Sequence, residues 1–142
     1  MAFLGRFDYS LDAKNRLTVP ARFRASLSEG VVLAKGTAPC MAIWTPAGFS
    51  AYVEQAVEGM HPLSPEREQI VRFLTSSAFE VMLDAAGRVM VPPDLLAYAD
   101  LKKDVVVAGV DIRLEVWDRG RWAEQQEQVD IAKLTARFGA LP

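Results

Sequence analysis

The 142-residue sequence predicts an α+β protein in which two pseudo-symmetric repeats share one β core, a barrel or a sandwich, with helices flanking it. Three observations lead there. The segment FDYSLDAKNRLTVP at 7–20 returns as FEVMLDAAGRVMVP at 79–92. Each copy opens with apolar and polar residues in alternation, the period-two pattern of a half-buried strand. Each is followed by apolar residues at helical spacing.

Aligned without gaps, residues 7–27 and 79–99 are identical at eight of twenty-one positions, and repetition on this scale is the first property to look for in a chain. With small gaps the likeness extends to Val31–Ala34 against Val105–Ala108 and to Ala42–Trp44 against Glu115–Trp117. Each unit therefore spans about forty-five residues, near the lower limit at which a lone core supports folding, so the two units must share one.

In chain order, Phe7 to Leu11 and Leu17 to Val19 read as strands. The turn between them starts with Asp12, a carboxylate placed to accept backbone N–H groups. It contains Asn15, which tolerates a left-handed backbone as Gly87 does in the second copy. The pattern predicts a hairpin with an exposed tip. Pro20 and Pro92 lack a ladder donor but suit the start of a helix, so short helices are expected over Arg22–Leu27 and Asp94–Tyr98. Two further strands follow in each unit and end at Trp44 and Trp117.

Phe49, Tyr52, Val53, Ala56 and Val57 form one apolar stripe after Pro46, a first long helix. Ser64-Pro65-Glu66 supplies an N-cap, a proline at the first helical position and an early acid for a second helix carrying Ile70, Val71 and Leu74. Trp122 to Phe138 is also helical in pattern but rich in Gln and Glu. The division expected is residues 5–47 for the first repeat, 48–76 for the connecting helices, 77–120 for the second repeat and 121–142 for a C-terminal helix and tail.

Composition and chemistry narrow the function. The chain is 51% apolar and 24% charged, ordinary for a folded globular protein. Cys40 is the single cysteine and His61 the single histidine, too few for an internal disulfide or a zinc site. Neither has a partner at catalytic spacing, so no cofactor, no metal, no small-molecule substrate and no enzyme are expected. The N-terminal segment has no apolar signal core and the longest uncharged run is broken by prolines and a glycine, which predicts a cytoplasmic location and no membrane partner. Trp44, Trp117 and Trp122 read as core or interface anchors.

With 16 basic against 18 acidic side chains the formal net charge is −2, which by itself announces no nucleic acid. The distribution says more. Residues 1–28 hold Arg6, Lys14, Arg16, Arg22 and Arg24 against Asp8 and Asp12, while residues 79–100 hold Arg88 alone against Glu80, Asp84, Asp94 and Asp100. Asp12 can pair with Arg16 across its turn, and Asp84 with Arg88, as a purely structural device. Lys14, Arg22 and Arg24 occur only in the first copy and are not needed for such a turn.

The run Leu11-Asp12-Ala13-Lys14-Asn15-Arg16-Leu17-Thr18-Val19-Pro20-Ala21-Arg22-Phe23-Arg24, with Leu83-Asp84-Ala85-Ala86-Gly87-Arg88 in the second copy, closely resembles the MraZ family of AbrB-like bacterial proteins. The resemblance runs nearly end to end; Asn15 stands where that family usually carries Gly. It implies two pseudo-symmetric AbrB-like swapped-hairpin repeats sharing one β-barrel core, with flanking helices. It also implies a nucleoid-associated DNA-binding transcriptional regulator, a repressor of the division and cell-wall gene cluster, acting as a ring-shaped homo-oligomer on repeated promoter elements. The residues expected on double-stranded DNA are Arg16, Lys14, Asn15, Arg22, Arg24 and Arg6; Asp12, Asp84, Gly87 and Arg88 are expected to build the turns or the assembly. The alternative is an antitoxin-like or scaffold module that binds another protein through its C-terminal helix.

Overall fold

Residues 2–139 are described by the computed structural model. In chain order they form β1 (Phe3–Ser10), β2 (Arg16–Thr18), a 3-10 turn (Ala21–Phe23), β3 (Val31–Lys35), β4 (Met41–Trp44), α1 (Pro46–Ala56) and α2 (Pro65–Thr75). The second half follows as β5 (Phe79–Val81), β6 (Arg88–Met90), α3 (Pro93–Tyr98), β7 (Asp104–Asp111), β8 (Leu114–Asp118), α4 (Arg119–Glu127) and α5 (Ile131–Arg137).

Six strands make one antiparallel sheet in the order β1-β7-β8-β4-β3-β5, and β2 pairs with β6 in a separate two-stranded ribbon. The order is symmetric about the central β8–β4 pair. β7 takes the other repeat's first strand, β1, and β3 takes β5 in the same way. Each repeat thus completes the other's sheet.

This arrangement corrects two expectations. The strands flanking the Asp12 turn do not form a hairpin ladder, because beyond the turn they part to different partners. β1 pairs with β7 over eight residues, Phe3 to Ser10, whereas β2 offers only three. The sheet is also open rather than closed into a barrel. β2 and β6 satisfy each other and so do not bridge the two edges, β1 and β5.

The helices follow local signals with two exceptions. Thr45 Oγ1 accepts from Gly48 N–H at 2.9 Å and Ser64 Oγ from Arg67 N–H at 3.2 Å, capping α1 and α2 just ahead of Pro46 and Pro65. Proline at the second copy's helix start, Pro93, presets the turn and α3 forms as expected. The first copy has Ala21 there, and the helix expected over Arg22–Leu27 is instead a 3-10 turn running into further turns. Its bonds join residues three positions apart: Phe23 N–H to Pro20 O at 2.9 Å and Leu27 N–H to Arg24 O at 3.2 Å. The single helix expected over Trp122–Phe138 is broken in two. Asp130 caps the second piece by accepting from Lys133 N–H at 3.0 Å; residues 140–142 of the expected tail lie outside the described residues.

Both repeats fill one core. Leu17, Leu27 and Leu33 from the first and Leu95, Val105 and Leu114 from the second are fully buried in a single cluster. Burying each such side chain contributes about 1.5–3 kcal/mol. The opposite face of β3 and β4, with Val32, Ala34, Ala42 and Trp44, packs under Phe49 and Tyr52 of α1. These strands are covered on both faces and so read as continuous apolar runs. Trp44 and Trp117 are buried, and Trp122 meets Trp117 edge to face with centroids 5.9 Å apart, as expected of anchors.

Candidate nucleic-acid interface

The two Asp-x-x-x-Arg turns are the same object built twice. Asp12 Oδ1 accepts from the N–H groups of Lys14 and Arg16, both at 2.9 Å, and Oδ2 accepts from Arg16 Nε at 2.6 Å. Asp84 Oδ1 accepts from the N–H groups of Ala86 and Arg88 at 2.9 Å, and Oδ2 from Arg88 Nε at 2.9 Å. In each case the Asp N–H donates to the Arg carbonyl, closing the turn. Asn15 and Gly87 occupy the left-handed position, with φ of 57° and 75°. These donors favour the ionised carboxyl, so both aspartates lie below their ordinary pKa of 3.8, chiefly through the backbone N–H of the paired arginine.

The turns lie side by side. Pairing of β2 with β6 is continued by two symmetric backbone bonds, Val19 N–H to Gly87 O and Val91 N–H to Asn15 O, both 2.9 Å. Arg88 Nη1 comes to 4.0 Å from Asp12, so the ion pairs of the two turns touch. The guanidinium of each arginine is held through Nε. Among the described residues, the terminal nitrogens of Arg16 make no hydrogen bond. A fork held this way keeps free donors in fixed geometry, the form suited to a phosphate or a guanine edge.

The expected DNA-binding residues separate into three places. Lys14 and Asn15 are exposed at the tip of the first turn beside Arg16, and no carboxylate lies within 4.0 Å of the Lys14 ammonium among the described residues. Arg24 sits on the seam between the turns. Its Nε donates to Val19 O at 3.1 Å, and its side chain covers Gly87 so closely that a Cβ there would collide with the guanidinium. The turns therefore use Arg24, contrary to the reading that they do not need it. Arg22 lies over the Phe7 ring at 5.8 Å, and Arg6, one residue out of phase with Phe7 on β1, pairs on the other strand face with Asp8 at 3.3 Å. The structure does not bring Arg6 to the tip.

Two cations were missed. An open cleft against the first turn is lined by Leu11, Asp12, Ala13 and Asn15 together with Lys102 and Lys103 of the second repeat. Only the pairing of β1 with β7 brings them there, and no local pattern in the sequence signals it.

The buried Cys40 thiol is pushed up to about 12, mainly by burial, and so stays protonated at neutral pH. His61 Nδ1 accepts from Leu63 N–H at 3.0 Å. Among the described residues no helix is long and apolar enough to cross a membrane.

The sequence profile of the MraZ family, described as "MraZ protein, putative antitoxin-like", matches residues 2–69 and again 74–139. The chain belongs to the MraZ family. Its relatives include the transcriptional regulator MraZ of Clostridium acetobutylicum, 34% identical over 140 residues and 98% of both chains. The transcriptional regulator MraZ of Desulfitobacterium hafniense is 37% identical over 134 residues, 94% of this chain and 93% of its own. That of Moorella thermoacetica is 39% identical over 122 residues, 86% of this chain and 85% of its own. Each matched segment of the MraZ profile contains one of the two Asp-x-x-x-Arg turns.

Proposed function

We propose that this protein is a transcriptional regulator that binds double-stranded DNA through its first turn, as a ring-forming homo-oligomer on repeated elements upstream of its own gene. The observation that carries the reading is the difference between two geometrically equivalent turns. Aspartate and arginine are needed in both to close the turn, but Lys14 and Asn15 stand in the first where Ala86 and Gly87 stand in the second. A scaffold has no use for an unpaired ammonium at one tip only, whereas a DNA reader needs it for phosphate. In this reading residues 5–47 are the basic, DNA-facing repeat and 77–120 its structural counterpart, separated by the helices of 48–76 and followed by 121–142. Repression of a division and cell-wall gene cluster from the nucleoid, and the AbrB-like swapped arrangement, belong to the same proposal; the exchange of first strands between repeats supports the latter. An antitoxin-like role is the second reading, favoured by the exposed Ile131, Leu134 and Phe138 of the C-terminal segment.

The test compares duplex DNA from immediately upstream of the gene with scrambled DNA of equal length. Preference for the upstream duplex is expected, and Arg16→Ala should weaken it by about tenfold or more, since a good bidentate contact is worth ~1–3 kcal/mol. Arg88→Ala should lower melting temperature or assembly instead, and Asp12→Asn should lower stability without a matching loss of binding. Equal affinity for both duplexes at physiological salt removes the regulator reading. Full affinity in Arg16→Ala with loss in Arg88→Ala reverses the assignment of the two turns.

A further inference from the structure

The first turn gathers more positive charge than its own repeat supplies. β1 lies against β7 with Ser10 opposite Asp104, so the loop leading into β7 is carried to the base of the first turn. Leu11 N–H donates to Lys103 O at 2.8 Å and locks the loop there. Lys102 and Lys103 then form one wall of the open cleft, about 410 Å³, whose other wall is the turn itself, Asp12, Ala13 and Asn15.

Neither lysine is committed to an internal partner. The Lys102 side chain is 69% exposed, and its one ion pair among the described residues, to Asp100 at 3.7 Å, is an exposed contact that contributes little and exchanges readily. Lys103 is exposed and has no ion pair among the described residues. The acids nearby are already engaged. Asp12 accepts three hydrogen bonds within its turn, and Asp104 Oδ1 accepts from Ser10 Oγ at 2.9 Å.

The pseudo-symmetry supplies an internal control. Val105 faces Tyr9 as Val31 faces Val81, so by register Ser28 and Glu29 are the first repeat's counterparts of Lys102 and Lys103. Strand exchange therefore carries Lys102 and Lys103, with Asp104 behind them, to the first turn. It widens a charge difference that the linear sequence understates.

We propose that Lys102 and Lys103 of the second repeat form a phosphate-contact site for the duplex that docks at the first turn, so that both repeats hold one DNA backbone. The inference rests on the DNA reading above. Flexible ammonium groups at the side of the cleft position the duplex and do not read bases.

The experiment is fluorescence anisotropy of the full chain with a labelled duplex from upstream of its gene and with the scrambled duplex, across a salt series. Lys102→Ala/Lys103→Ala should raise Kd about tenfold for both duplexes near physiological salt and leave their ratio unchanged. It should also flatten the slope of log affinity against log salt by roughly 1.8, at roughly 0.9 for each phosphate that is no longer neutralised. Lys102→Arg/Lys103→Arg should restore the slope, and circular dichroism melting should match wild type in both variants. Arg72→Ala removes an exposed cation of α2, beside Phe73, which packs on Tyr98 away from the turns; it should change neither Kd nor slope. A double alanine variant within twofold of wild type, or no weaker than Arg72→Ala, overturns the proposal while leaving the DNA reading in place. An altered ratio between duplexes overturns the positioning role. Wild-type protein that binds neither duplex with salt dependence removes both.

Discussion

Asp12 and Asp84 each organise a whole turn from one carboxylate, and this makes the turns sensitive to acid. Their folded pKa lies below the ordinary 3.8, so the stabilisation is complete above that value and is lost as pH falls through the lower, folded one. The melting temperature of wild type should therefore exceed that of Asp12→Asn at pH 6, and the gap should close as pH drops below about 4. A gap unchanged at pH 3 would show that the ionised form is not what the turn uses. The left-handed position offers a second test. Asn15 has φ of 57° and an exposed side chain, whereas Gly87 has φ of 75° and lies under Arg24. Gly87→Ala should cost about 1–2 kcal/mol from the backbone alone, with a further loss from displacing Arg24, and Asn15→Gly should be nearly neutral in urea denaturation. Equal effects at the two positions would contradict the left-handed backbone assigned to Gly87. The turn residues themselves were readable in the sequence, because Asp, Asn and Gly act through their own backbone over four or five residues. The roles of Arg24, Arg22 and Arg6 were not, since each is decided by a neighbour that spacing along the chain does not identify.

At the level of elements, capping and proline signals were reliable and pairing signals were not. Ser64-Pro65 begins α2 as its residues dictate, and Pro93 in place of Ala21 separates a true helix from a 3-10 turn. The strands on either side of Asp12 looked like a hairpin because strand period says which residues alternate and nothing about which strand lies alongside. The decisive contact is the approach of β1 to β7, where Gly5 faces Gly109. A Cβ on Gly109 would stand 2.5 Å from Leu4 N and from the Phe3 carbonyl carbon, backbone atoms that cannot yield without parting the strands. Gly109→Ala should accordingly lower stability by about 3 kcal/mol, the upper end of ordinary single substitutions. It should also raise amide exchange along β1 before the rest of the sheet. Uniform protection in that variant would show that β1 is not held at this point.

For the whole molecule, the open sheet leaves β1 and β5 as its edges, and Leu4 on β1, Phe79 on β5, Met82 after it and Met90 on β6 expose apolar surface. An open strand edge is a template for pairing with another chain, and exposed apolar residues beside it favour such pairing. Light scattering at micromolar concentration should give a homo-oligomer, and DNA affinity should fall with dissociation, because one small contact set per subunit is weak and several act together. A stable monomer with full DNA affinity would contradict it. Amino-acid order alone was enough to set the repeat, the shared core, the two Asp-x-x-x-Arg turns and the greater basicity of the first, since these depend on residue identity and on order within a few positions. Folding in three dimensions settled which strands pair, that the sheet stays open, that Arg24 bridges the turns and that Lys102 and Lys103 stand beside the turn that carries Lys14. These depend on contacts between residues up to about a hundred positions apart, where loop closure costs little for added length and the burial of a common core selects the partner.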